Sequence, residues 1–272
     1  MSMISTRDGT KLYFKDWGEG RPVILVHGWP LSSDTWDPVA MHLANSGFRA
    51  IAYDRRGFGR SDQPWGGYDY DTMSDDLADV MQATGAKDAT IVGFSMGGGE
   101  IARYMGRHDG KHVRQAVLIS SVVPFMLQTD DHDGVPNDVF EDIKAGINKD
   151  WPDFMKGFLR DFYGVTDAKQ AVSEAYLHWS WRQTMMASLK ATLDCVDAFG
   201  KTDFRGDLPA FNVPTLIIHG TDDQTVPIDV SGRAAAKGID GAKLLEYEGS
   251  PHGVFATDTD RLKDDLLSFV RG

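Results

Sequence analysis

Short, unbroken apolar runs alternate along this chain with longer stretches in which apolar residues recur every three to four positions. The runs at 23–26 (Val-Ile-Leu-Val), 48–53, 90–92, 113–119, 214–219 and 243–247 have the length and β-branched content of buried strands. Between them, 35–45, 71–84, about 97–107 and 258–270 carry the spacing of amphipathic helices. Ser33 or Asp34 is placed to cap the first of these, and Gly85 to close the second. Ahead of all of them, Asp8-Gly9 reads as a hairpin turn between strands at 2–6 and 11–17. Strand–helix alternation predicts an α/β fold: a mostly parallel central sheet with helices on both faces and an antiparallel pair at one edge.

The rhythm breaks between residues 121 and 209. No strand-like run occurs there, and helical patterns rich in Trp, Phe, Tyr and Met occupy 139–147, 153–162, 169–179 and 185–199. The expected organisation is a core domain formed by 1–120 and 210–272, with 121–209 inserted as a helical cap over the sheet.

Composition narrows the function classes. Twenty-eight basic against 40 acidic side chains give a formal charge of -12, with no basic cluster longer than Arg55-Arg56. That argues against nucleic-acid or anionic-membrane partners. The single cysteine, Cys195, excludes an internal disulfide and reads as a small core residue in a helix. Residues 1–10 lack the apolar stretch of a secretory signal, and no apolar run approaches membrane-spanning length, so a soluble cytoplasmic protein is expected. Asp130-Asp131-His132-Asp133-Gly134 lacks the remaining EF-hand spacing and reads as a solvated loop. Nothing in the chain has zinc spacing, a P-loop or a dinucleotide fingerprint, so no metal or cofactor is called for.

The chemistry centres on Gly93-Phe94-Ser95-Met96-Gly97, a G-x-S-x-G pattern. A strand runs into it and a helix runs out, the setting in which a serine is presented at the tip of a tight turn. Such a serine needs a base to take its proton and an acid to orient the base. Of the eight histidines, His42, His108, His112, His132 and His178 lie in helices, at their ends, or in the insertion. His27 and His219 follow strands directly but precede glycines in loops, where packing or hydrogen bonding is expected. His252 follows the last strand, precedes the last helix, and comes late in the chain as the order Ser…Asp…His requires.

The loop after the strand at 113–119 holds no carboxylate, so the acid is Asp222 or Asp223. Asp223, three after Gly220 and four before Pro227, is preferred; a turn-capping role would suit Asp222. Acyl transfer also needs two backbone N–H groups for the developing oxyanion. One belongs to Met96, after the nucleophile. The other comes from the loop His27-Gly28-Trp29-Pro30, and because proline has no N–H it must be that of Trp29. Asp54-Arg55-Arg56 reads as a loop anchored by charge-assisted hydrogen bonds.

These motifs bring out a family resemblance. Over its whole length the chain resembles the α/β-hydrolase superfamily, and within it the bacterial aryl esterases and cofactor-free (non-haem) haloperoxidases, or perhydrolases. Tyr13 to Gly18, His27-Gly28-Trp29, the long stretch from Asp54 to Trp65, Gly93 to Gly99, Ser188 to Thr192 and Pro251-His252-Gly253 carry it. The resemblance implies a triad of Ser95, Asp223 and His252. It also implies a pocket drawing on Pro30, Val122, Phe125, Met126, Phe158, Phe162, Phe199 and Val226, and a homo-oligomer, a trimer or a dimer of trimers. The implied activity is hydrolysis of small aryl or short-chain alkyl esters. With hydrogen peroxide as acyl acceptor, a carboxylic acid or ester gives a peracid, and halide oxidation follows without a cofactor. Proline at position 30 is associated with perhydrolysis in this family. The expectation is that Pro30 fixes the Trp29 carbonyl to accept a hydrogen bond from peroxide. Replacing it by leucine should then lower the perhydrolysis-to-hydrolysis ratio. The rival readings are a lactamase or carbon–carbon bond hydrolase of the same fold, or a non-catalytic ligand receptor.

Overall fold

A computed structural model of the chain describes residues 2–272. Eight strands form one sheet: β1 (Met3–Ser5), β2 (Lys11–Trp17), β3 (Arg21–Val26), β4 (Phe48–Tyr53), β5 (Ala89–Phe94), β6 (Val113–Ile119), β7 (Thr215–Gly220) and β8 (Lys243–Tyr247). Their order is β1-β2-β4-β3-β5-β6-β7-β8. β1–β2 and β2–β4 are antiparallel, and every later pairing is parallel. The sheet thus matches the expected architecture, with the antiparallel strands at one edge.

Alternation along the strands builds a core on each face. Ile24, Val26, Ile91, Leu118 and Ile217 face one layer. Their neighbours Val23, Leu25, Val92, Val117 and Leu216 face the other. The first layer is covered by α2 (Tyr70–Thr84) and α3 (Met96–Arg107); the second by α1 (Asp37–Asn45) and α9 (Thr259–Arg271). Fully burying each such aliphatic side chain is worth about 1.5–3 kcal/mol, so the two faces bind the helices to the sheet.

Residues 121–209 contain α4 (Asn137–Phe162), α5 (Glu174–Thr184) and α6 (Leu189–Lys201). Here the expected boundaries shift, for local reasons. The helices expected at 139–147 and 153–162 are one element bent at Asp150 (φ -160°, ψ 85°), two residues ahead of Pro152. Proline removes a helical N–H and crowds the turn before it. The Asp150 carboxylate then caps the second half by accepting the Asp153 N–H at 3.1 Å. Ser173 and Ser188 set the starts of α5 and α6 by accepting the N–H groups of Tyr176 and Ala191. Before α1, a 3-10 turn (Ser33–Trp36) capped by Ser32 takes the first part of the helix expected at 35–45, and Pro38 opens a fresh helix. The short α7 (Gly232–Gly238) gave no periodic signal; α8 (Val254–Thr257) is a single turn before α9. Among the described residues, no helix is long and apolar enough to cross a membrane.

Candidate active site

The parallel strands point the same way, so the loops that leave β3, β5, β7 and β8 meet at one edge of the sheet. Ser95 stands between β5 and α3 with φ 54° and ψ -121°. That left-handed backbone is strained for a residue with a Cβ, at a cost of about 1–3 kcal/mol. Gly93 and Gly97 permit the turn: a Cβ on Gly97 would press into the carbonyls of Val26 and His27, and one on Gly93 into Gly97 itself. The serine side chain is thereby lifted off the sheet edge.

Ser95 Oγ lies 3.0 Å from His252 Nε2. On the far side of the ring, Nδ1 is 2.7 Å from Asp223 Oδ2. A carboxylate can only accept, so Nδ1 carries the proton and Nε2 is free to accept from the serine hydroxyl. Asp223 Oδ1 in turn accepts the backbone N–H groups of Thr225 (3.0 Å) and Val226 (2.8 Å). Burial alone would push the Asp223 carboxyl up, but His252 and a hydrogen bond from His219 outweigh it and hold it at about 2. It is therefore an anion at neutral pH. Phe94 (centroids 4.9 Å apart) and Phe162 (4.7 Å) pack against the His252 ring, which is almost fully buried. Asp222, the other candidate acid, is exposed, and its carboxylate accepts from the Gln224 side chain at 3.1 Å.

Among the described residues, the backbone N–H groups of Trp29 and Met96 donate to no protein acceptor. The Trp29 loop is held from several directions. Gly28 accepts the Leu31 N–H at 3.1 Å around a cis Trp29–Pro30 bond. The Trp29 indole N–H donates to the Thr192 carbonyl of α6 at 3.0 Å. His27 is buried; Nε2 accepts the Arg55 N–H at 3.0 Å and Nδ1–H donates to the Gly28 carbonyl at 2.9 Å. Burial, with Arg55 alongside, pushes His27 well below its usual range, so it serves the loop as a neutral hydrogen-bonding group. Asp54 gathers the Ser33 N–H and hydroxyl and the Arg60 N–H and guanidinium, all within 2.6–2.9 Å, in keeping with an anchoring role.

A narrow cavity of ≈ 40 Å³ opens onto Ser95 and His252. Of the residues named from sequence, Trp29, Val122, Met126, Phe158, Phe199 and Val226 line it. Phe125, Phe162 and Pro30 do not. Phe125 stacks on His132 and lies under Arg205. Phe162 is spent on the back of His252, and Pro30 is buried within its turn. The lining also includes Val135, Val139, Phe140, Ile143 and Thr225, which sequence reasoning missed. The i, i+4 spacing of Val139 and Ile143 signals a helix face, but not that the face covers a cleft. A larger groove of ≈ 540 Å³ beside α4 and α5 contains neither Ser95 nor His252.

His219 takes the hydrogen-bonding role expected for a histidine in this loop. Its Nε2 lies 2.9 Å from the Val226 carbonyl and 3.2 Å from Asp223 Oδ2, so its N–H braces the turn that carries Asp223.

The family model described as alpha/beta hydrolase fold matches residues 21–259. The chain is 43% identical to the non-heme chloroperoxidase CPO-A1 of Kitasatospora aureofaciens, over 99% of each protein. It is 44% identical to the bifunctional esterase/perhydrolase DCH of Acinetobacter calcoaceticus, over 100% of each. The crystal structure of a bromoperoxidase from Bacillus anthracis superposes with a TM-score of 0.95 at 40% identity, over 100% of both chains. The chain belongs to the α/β-hydrolase family. Within it, the chain is a member of the group of non-heme haloperoxidases and esterase/perhydrolases.

Proposed function

We propose that this protein is a serine esterase that works through an acyl-enzyme and passes the acyl group to water or to hydrogen peroxide. The observation that carries the proposal is the continuous chain Ser95–His252–Asp223, at 3.0 and 2.7 Å, at the floor of an apolar cleft. Ser95 Oγ attacks the ester carbonyl while His252 Nε2 takes its proton, and Asp223 steadies the imidazolium that results. The N–H groups of Trp29 and Met96 receive the oxyanion; losing such a donor costs about 3–4 kcal/mol in the transition state. Collapse of the tetrahedral intermediate expels the alcohol, which takes the proton from His252. Water then attacks the acyl-enzyme to give the carboxylic acid, or peroxide attacks to give the peracid, and Ser95 is restored in both cases. Peracid released from the cleft oxidises halide in solution. Every step is carried by side chains and backbone of this chain.

Peroxide transfer is supported by the esterase/perhydrolase and chloroperoxidase relatives. It is also supported by the Trp29 carbonyl, which accepts no hydrogen bond from the described residues. The lining is apolar apart from Ser95, His252 and Thr225, which suits small uncharged acyl and aryl groups. In this proposal 121–209 act as the cap that shapes the cleft over a core of 1–120 and 210–272. The protein works in the cytoplasm as a homo-oligomer, whose size light scattering measures.

The test is a panel of p-nitrophenyl esters, run with and without peroxide and bromide, beside labelling by a fluorophosphonate. Short-chain and aryl esters should turn over, peroxide should divert product to peracid, and the probe should label Ser95. A native protein left unlabelled at Ser95 would overturn the reading in favour of a non-catalytic receptor.

A further inference from the structure

Beside the Trp29 loop lies a fully buried ion pair that the proposed chemistry does not use. Arg55 and Glu100 have 1% and 0% of their side chains exposed, and Arg55 Nε donates to Glu100 Oε2 at 2.8 Å. The Tyr53 hydroxyl donates to the other carboxylate oxygen. Arg55 also reaches into the loop: Nη2 donates to the His27 carbonyl at 2.8 Å, and its backbone N–H donates to His27 Nε2 at 3.0 Å. Glu100 belongs to α3, the helix that begins at Met96. The pair therefore ties together the two elements that supply the Trp29 and Met96 N–H groups.

Stability is a poor reason for these charges. Taking two ions out of water is costly, and apolar side chains of similar volume often hold a core as well or better. Arg55 Nη1 has no partner among the described residues, so the guanidinium is not even fully satisfied. What charges supply and packing does not is direction, because hydrogen bonds fix both distance and angle.

We propose that the Arg55–Glu100 pair is a positioning device that sets the separation and aim of the two oxyanion-binding N–H groups. Neither residue touches substrate; both act through His27 and α3. The inference rests on the esterase reading above, with Trp29 and Met96 as the donors.

The test compares the apolar double variant Arg55→Met/Glu100→Leu, and the isosteric Glu100→Gln, with the native enzyme. The readouts are kcat and KM on p-nitrophenyl acetate, the affinity of a boronic acid that forms a tetrahedral adduct with serine, and urea unfolding. The double variant should unfold at the native urea concentration or above it, with KM unchanged. Its kcat should fall about ten- to a hundredfold, since small misplacements of this kind are expensive in the transition state. Boronic acid affinity should fall in proportion. Glu100→Gln, which keeps an acceptor for Arg55 without the charge, should lose kcat about three- to tenfold. A folded double variant with native kcat and boronic acid affinity, or with a loss confined to KM, overturns the inference. If the double variant does not fold, native kcat and boronic acid affinity in Glu100→Gln overturn it instead. Failure of the esterase reading looks different: Ser95 is unlabelled and Ser95→Ala changes nothing. Failure of this inference alone leaves those two results in place.

Discussion

The two walls of the cleft are built from different materials. The sheet side buries charge: Asp54, Arg55, Arg56, Asp76, Glu100 and Asp223 are all at 3% exposure or less. Residues 121–209 bury no charged side chain at all; their buried positions are apolar, with a few neutral polar groups such as Ser180, Gln183 and Thr192. Buried ions and directed hydrogen bonds hold an atom to a fraction of an ångström, whereas apolar packing fixes shape and volume but tolerates substitution of similar size. The wall proposed to do chemistry is made rigid and directional, and the wall proposed to choose the acyl group is made adaptable.

That contrast can be broken by experiment. The largest effect belongs to Asp223→Asn, which should lower kcat about 10³–10⁴-fold with the fold intact, because His252 is then held in the wrong tautomer. Steady-state kinetics beside circular dichroism would show it, and a loss under tenfold would place the site elsewhere. Next is the Arg56–Asp76 pair, a fork at 2.6 Å with both members buried. Asp76→Ala leaves the buried arginine with only the half-exposed Asp8, 2.9 Å from Nη1, and should cost about 3 kcal/mol in urea unfolding. On the other wall, Phe158→Ala and Phe199→Ala should leave the serine chemistry alone. They should raise kcat/KM for hexanoyl over acetyl esters by about tenfold, the range of one to two methylenes in an apolar pocket. Equal losses on both esters would show that the cap wall is also catalytic.

The smallest effect is in acid. The Asp223 carboxyl lies at about 2 in the folded protein against a usual 3.8, so folding favours its ionised form. That contribution is complete above pH 3.8 and is lost as pH falls through 2. Acid-unfolding curves of Asp223→Asn should be flatter across that window than those of the native protein.

The same two walls differ in how far they could be read from sequence. On the sheet side the signals were local. Four apolar residues at 23–26, the Gly93-x-Ser95-x-Gly97 turn and a histidine after the last strand each constrain their own neighbourhood, and parallel topology carries them to one edge. On the cap side the Trp, Phe and Met stripes predicted helices without saying what each stripe faces. Phe125 and Phe162 were named with Phe158 and Phe199, yet they pack on His132 and behind His252. Pro152 was visible, but its effect, one bent helix in place of two, depends on what the flanking turns pack against.

By itself the sequence determined the α/β alternation, the strained serine turn, the late histidine, and that Pro30 has no N–H to offer the Trp29 loop, because each follows from backbone chemistry within a few residues. Tertiary structure decided the rest. It brought Ser95 and His252 to 3.0 Å across 157 residues of chain, and set Asp223 rather than Asp222 against the ring. It placed His219 against Asp223 and joined Arg55 to Glu100 beside the Trp29 loop. Those contacts depend on which strand ends are neighbours in the sheet and on where side chains from distant segments meet, and no local pattern encodes that.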